Sequence, residues 1–284
     1  MVDPTPRRRQ LGVVLRQLRE ERGWTGEEAA RRLGYKSAGT VSKIEKGTQG
    51  VTIQQLPNIF QVYGIESPDL QDSLRNLVRR AREPDWWQRY EGVVDDPLGD
   101  YLTQVELASA LFSWNPNAVP GLLQTRAYAR AVVEASRAWK TTDDIDHFVD
   151  LRMEHQAKNS ARTPPLRFWA VIPEGVLRQE VGGRPVMREQ LQHLAALAAD
   201  EPNVTIQVLP FSAGAHAGMD GPFLHLTFPA GPDVIVIESM RASLHMNQAS
   251  SVEQYRTTGD LLKTEAQTRQ ASVSLLTSIA KDLA

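Results

Sequence analysis

The chain has 284 residues, 41% hydrophobic and 23% charged, with 32 Lys+Arg against 34 Asp+Glu and no cysteine. That length suggests one large domain or two smaller ones, and the composition is that of a folded globular chain. Without cysteine there is no disulfide, no thiolate nucleophile and no zinc site that needs sulfur. The opening Met-Val-Asp-Pro-Thr-Pro-Arg-Arg-Arg has basic residues but no apolar stretch behind them, so no secretory signal is expected. No window approaches the roughly 18 consecutive apolar residues of a membrane span. A cytoplasmic location is the expectation.

The near-zero net charge hides an asymmetry. Residues 1–82 hold 15 Lys+Arg and 9 Asp+Glu, a net of +6, while the remainder holds 17 and 25, a net of −8. Such a split suggests that the first part meets a polyanion and the second does something else, although helical surfaces of mixed charge are common.

Leu11, Val14, Leu15 and Leu18 recur at helical spacing, and Gly23 is placed to end that helix as a left-handed cap. Thr25-Gly26-Glu27-Glu28 matches a capping box, with Thr25 as N-cap and Glu28 reaching back. The short helix that follows turns Ala29, Ala30 and Leu33 inward and stops at Gly34. Ser37 is placed to cap a third helix with Val41 and Ile44 inward, ending before Gly47. A fourth, from Ile53 to about Tyr63, offers Leu56, Ile59, Phe60 and Tyr63 as core. Short helices, a small Ala30 and a glycine turn are what a helix-turn-helix needs, and a plain four-helix bundle would satisfy the same apolar pattern.

The run Thr40-Val41-Ser42-Lys43-Ile44-Glu45-Lys46-Gly47, with Gly34, Ala30 and Leu18-Arg19-x-x-Arg22-Gly23, resembles the Xre-type, lambda-repressor-like helix-turn-helix. The resemblance implies a double-stranded DNA partner, with the third helix in the major groove and its N-terminal residues facing base edges. It also implies a structural ion pair between Arg19 and Glu45. Base reading is then expected mainly of Thr40, Ser42 and Lys43, with Ser37 beside them, since lysine can reach guanine and threonine a thymine methyl. Lys36, Lys46 and the Arg7-Arg8-Arg9 arm are expected on phosphates, with Thr25 also facing DNA. Two features depart from the family. The turn from Gly34 to Ser37 is one residue longer than usual, and Gly26, Ala38 and Gly39 stand where a glutamine is common.

Leu70, Leu74, Leu77 and Val78 continue helical spacing through a connector with Arg75, Arg79, Arg80 and Arg82, which Pro84-Asp85 breaks. The expected organisation is a head over residues 1–66, a helical connector over 67–84 and a second domain over 85–284. Trp86 and Trp87 open that domain as core packing or as a stacking surface for a ligand. Helices are expected over Leu102–Phe112, Thr125–Trp139, from a cap at Asp143 or Asp144 to Asn159, over Arg184–Asp200, and near 249–262 and 268–282. Strands are expected over Leu166–Ile172, Val204–Val208, Phe223–Phe228 and Val234–Glu238. Helices with a small sheet containing a hairpin argue for α+β.

Glu106 with Ala108, Val119-Pro-Gly-Leu-Leu-Gln-Thr-Arg-Ala-Tyr-Ala-Arg130, Val186–Leu191, Asn203–Phe211 and Gly214-Ala-His-Ala-Gly218 with Gly221-Pro-Phe223 carry a second resemblance. They are similar to the effector-like domain of actinobacterial antitoxin-like Xre regulators, the WhiJ-like group. One departure is His155, where that group usually has a second arginine. The resemblance implies a transcriptional regulator, nucleoid-associated when bound to DNA, whose second domain receives a small partner protein encoded nearby or a ligand.

None of the six histidines forms His-Glu-x-x-His, and no metal site or cofactor is expected. Ser212, His216 and Asp220 lie close in sequence, but on a glycine-rich loop without a nucleophile elbow. The Pro210–Pro222 segment is an irregular connection or a surface where a partner docks, with His216 and Gly218 as candidates beside Trp86 and Trp87. The chain is therefore expected not to be an enzyme; the alternative is an enzyme acting on a nucleotide or metabolite and anchored by its helix-turn-helix. A homodimer is expected, because one such head reads about half a site.

Overall fold

The computed structural model describes residues 5–81, 83, 85–90, 92–136, 141–238 and 243–283. The connector's Arg82 and Pro84, and Trp139 at the expected end of a helix, lie outside the described residues. The chain divides into two compact units, Met1–Trp86 with Phe228–Asp233, and Trp87–Thr227 with Val234–Ala284.

The first unit is helical: α1 (Pro6–Glu21), α2 (Gly26–Leu33), α3 (Ala38–Glu45), α4 (Leu56–Val62) and α5 (Pro68–Arg80), with a single 3-10 turn over Ile53–Gln55. Helix α1 ends at Gly23 in the left-handed conformation, φ 65°, and α2 at Gly34, φ 74°, where a side chain would strain the backbone. Thr25 Oγ1 accepts from the Glu28 amide, but the Glu28 carboxylate turns forward to Arg31 and Arg32 and does not close the capping box. Ser37 holds the N-cap position of α3 without a side-chain cap bond. The core is Leu11, Val14, Leu15, Ala29, Ala30, Val41, Ile44, Leu56, Ile59 and Tyr63. The expected connector helix packs on α1 through buried Leu74, Leu77 and Val78, so α5 is part of this unit.

The second unit is α+β. In chain order it has α6 (Asp96–Leu107), β1 (Ala110–Trp114), α7 (Arg126–Ser136), α8 (Thr142–Ala161), β2 (Arg167–Pro173), α9 (Glu174–Arg178), α10 (Arg184–Asp200), β3 (Val204–Leu209), β4 (Phe223–Thr227), β5 (Val234–Glu238), β6 (Ser243–Met246), α11 (Ala249–Glu265) and α12 (Arg269–Asp282). The six strands form one mixed sheet in the order β3-β2-β1-β4-β5-β6. Strands β1, β2 and β3 are parallel, while β4, β5 and β6 run as an antiparallel meander joined to β1.

Two expectations are corrected, and two elements are added. Leu102–Phe112 is not one helix: α6 stops at Leu107, Ala108 is extended at ψ 144°, and Leu111 and Phe112 lie in the central strand β1. A strand buried on both faces is a continuous apolar run, which a helical pattern fits equally well. The guanidinium of Arg162 closes the helix by donating to the carbonyls of Val105 and Ala108, 3.1 and 2.7 Å. The N-cap of α8 is Thr141, whose hydroxyl accepts from the Asp144 amide, with Asp143 and Asp144 in the first turn. Strand β6 and the short α9 were not foreseen.

Phe112 and Trp114 share one face of β1 and pack with Val171, Leu209, Phe223 and Ile235 under Leu262 of α11. Each large side chain so buried contributes roughly 1.5–3 kcal/mol. At the sheet edge, the Val208 amide donates to Ser272 Oγ and its carbonyl accepts from the Gln267 amide, each at 2.9 Å. The β3 backbone is thus covered there by the α11–α12 junction, which removes an open pairing edge.

Candidate nucleic-acid interface

The head is set by how α3 is held. Gly12 of α1 lies against the end of α3, where an added Cβ would meet the Glu45 and Ile44 carbonyl oxygens at 2.4 and 2.6 Å. Only glycine permits that crossing. Beside it, Arg19 Nε donates to Glu45 Oε1 at 2.6 Å and Nη2 to Oε2 at 3.1 Å, while Nη1 donates to the Trp24 carbonyl at 2.8 Å. The hydrogen bond to Glu45 raises the guanidinium further above its ordinary value. Glu45 is therefore occupied inside the head, as the resemblance implied. Beneath the pair, burial pushes the Tyr63 phenol up to about 12, so it stays neutral.

The two helices of the motif begin side by side, since a Cβ built on Gly26 would touch Ala38 Cβ at 3.6 Å. With Val41 and Ile44 inward, helical periodicity puts Gly39 and Lys46 nearest the centre of the outward face of α3, with Ser42 and Lys43 on either side of it and Thr40 at its margin. Lys36, Ser37, Lys43, Lys46 and Thr25 are exposed, and Thr40 and Ser42 half-exposed. Lys36, Lys43 and Lys46 have no carboxylate partner among the described residues. In contrast, the exposed Arg31 and Arg32 of α2 share an ion pair with the single carboxylate of Glu28.

The basic arm does not behave as a unit. Arg7 is 3% exposed and ion-paired with Asp85, itself 6% exposed, so it is withdrawn from any phosphate. Its expected DNA contact is corrected on that ground: a buried, paired guanidinium is a structural group. Arg8 instead lies over the loop after α3, its Nε 3.5 Å from the Cβ position of Gly50, and Arg9 lies beside Gly47. Composition could not separate these three consecutive arginines; their positions on the first turn of α1 do. Gly12 was also missed, although a glycine inside an amphipathic stripe is the usual sign of close helix approach.

The candidates in the second part of the chain are structural in different degrees. Trp86 is half-buried in the first unit. Trp87 packs into the second, its ring where a Cβ on Gly99 would sit and its Nε1 donating to Thr103 Oγ1 at 3.4 Å. The His216 ring stands edge-on to Trp114 with centroids 5.1 Å apart, and its Nδ1 accepts from the Gly218 amide at 3.2 Å. That nitrogen is turned to the loop backbone. Gly218 is buried against Trp114 and lines a cleft with Asp220.

The structure also places a buried histidine that the sequence marked only as a departure. His155 is 6% exposed, edge-on to Tyr101 at 5.8 Å, and burial together with the charge of Arg152 lowers it to about 3. Arg152 donates to Gln124 Oε1 at 2.5 Å and lies over the Phe148 ring.

Residues 10–74 match the family described as a helix-turn-helix domain. Residues 98–278, more than half of the chain, match the family described as "Domain of unknown function (DUF5753)". The chain belongs to the DUF5753 family. No curated protein and no solved structure matches it. In this DUF5753 protein the helix-turn-helix marks a DNA-binding regulator, and no helix among the described residues is long and apolar enough to cross a membrane.

Proposed function

We propose that this DUF5753 protein is a sequence-specific transcriptional regulator of the Xre type that binds operator DNA as a homodimer in the cytoplasm. Its second domain receives a small partner protein or a ligand, in an antitoxin-like pairing of the WhiJ-like kind, and does no catalysis. The observation that supports it most is the outward face of α3, where Thr40, Ser42 and Lys43 stand between Lys36 and Lys46, which have no carboxylate partner among the described residues, while Glu45 is turned inward to Arg19. A recognition helix whose only carboxylate is neutralised by the scaffold offers a duplex polar and cationic groups alone.

The test is selection of bound sequences from a random duplex library, followed by affinity measurement on the enriched site. A defined site of two related half-sites is expected, lost by the Lys36/Lys43/Lys46→Ala variant with its melting unchanged. A pool that never converges contradicts sequence-specific binding. Light scattering should give a dimer on that site; a monomer both free and on DNA would remove the homodimer. Co-purification of a small protein in the absence of DNA would favour the antitoxin-like arrangement over a plain repressor.

A further inference from the structure

Between the Pro210–Pro222 connection and α11 lies a cleft of about 100 Å³. One ordered water needs roughly 10–15 Å³ of such space, so this cleft takes a molecule of roughly six to ten non-hydrogen atoms. Long connections are commonly floppy, but this one is seated. Trp114 Nε1 donates to the Gly218 carbonyl at 2.9 Å, and a Cβ on Gly218 would meet the Trp114 ring at 2.5 Å. The His216 contacts described above fix the same turn from the other side. A pocket whose wall is already ordered does not spend binding energy on ordering it.

The floor is apolar and aromatic. Phe223, Ile237 and Tyr255 line it, with the Phe223 and Tyr255 rings 5.0 Å apart at 58°. Thr258 adds a hydroxyl and Asp220 the only charge in the lining among the described residues. The carboxylate of Asp220 makes no hydrogen bond or ion pair among the described residues. The acids Glu253 and Asp260 of α11 do not share that state, since both face Arg256, at 2.6 and 3.8 Å. An uncompensated carboxylate beside aromatic rings attracts a cation twice, through its charge and through the ring quadrupoles.

We propose that this cleft binds a small organic cation, with an amine or ammonium head at Asp220 and an apolar body on Phe223, Ile237 and Tyr255. It rests on the reading that the second domain receives an effector, and it names where and of what chemistry. The probes are phenethylamine, its neutral isostere 2-phenylethanol and its anionic counterpart 3-phenylpropionate, titrated calorimetrically into the full chain. Phenethylamine is expected to bind with a Kd at or below ~1 mM and to be preferred over the other two by about tenfold or more. Asp220→Asn, an isosteric change at an exposed site, should weaken it about tenfold and erase the preference; Thr258→Trp, which fills the cleft, should abolish binding. Equal binding of all three probes, no saturable heat up to ~10 mM, or an unaffected Asp220→Asn variant overturns the proposal. Operator affinity of the same samples is measured separately. Cation binding without specific DNA binding would sink the regulator and spare the cleft, and the reverse result would do the opposite.

Discussion

Arg19 on the first helix and Glu45 at the end of the third are joined by a two-pronged ion pair, 14% and 10% exposed, that crosses the helix-turn-helix. The pair does two jobs. It ties α1 to α3, and it removes a negative charge from the helix proposed to face DNA. Replacing Glu45 by Gln keeps the shape and half of the bonding, whereas Arg19→Met leaves the carboxylate buried and unpaired. Arg19→Met is expected to destabilise the head by about 3 kcal/mol, and Glu45→Gln by less. Hydrogen exchange of α1 and α3 amides in the full chain reads this locally. Equal protection in both variants and wild type would show the pair to be idle.

Lys43 is exposed on the outward face of α3. Lys43→Ala is expected to weaken binding to the selected site by about 1–3 kcal/mol more than binding to random duplex. Equal losses on both DNAs would make Lys43 a phosphate contact.

Arg7 and Arg8 are neighbours in sequence with opposite surroundings, one buried against Asp85 and one over the loop that follows α3. Arg8→Ala should lower the salt dependence of binding by about one unit of log–log slope with little change in melting. Arg7→Ala should do the reverse, lowering the melting temperature of the free protein. A lowered slope for Arg7→Ala without a loss of stability would contradict its burial.

His155 gives the second unit a pH dependence of known sign. Its folded-state value, about 3, lies below the ordinary 6.5, so the unfolded chain binds the proton more readily between those limits. Stability from this group is full above about pH 6.5 and falls as the pH drops toward 3, by up to about 1.4 kcal/mol per pH unit. The melting temperature of His155→Leu should therefore fall less steeply than wild type between pH 6.5 and 4. Parallel curves would show that His155 is not the group that titrates.

What was legible in the sequence was whatever local chemistry decides. Gly23, Gly34 and Thr25 punctuate α1 and α2 through backbone conformation and one side-chain bond, and α10 begins and ends where its periodicity does. What was not legible depended on partners distant in the chain. Leu111 and Phe112 are strand residues only because β2 and β4 flank them. The cap of α8 went to Thr141 because its hydroxyl, and not the carboxylates of Asp143 and Asp144, sits one residue before the first turn. The site divided in the same way. The exposure of Lys43 and Lys46 follows from the apolar stripe of α3, but Arg7 reads as part of a basic arm until Asp85, 78 positions on, is brought to it.

The central claim is that the head of this DUF5753 protein reads DNA sequence. It is tested most directly by titrating salt against binding to the selected site and to a scrambled duplex of equal length. The proposed dimer, with Lys36, Lys46 and Arg8 of each half on phosphates, would make about six contacts, and a log–log slope near −5 is expected on both DNAs. Affinity for the selected site should be roughly a thousandfold higher throughout. Equal affinities at every salt concentration, however steep the slope, would contradict the account.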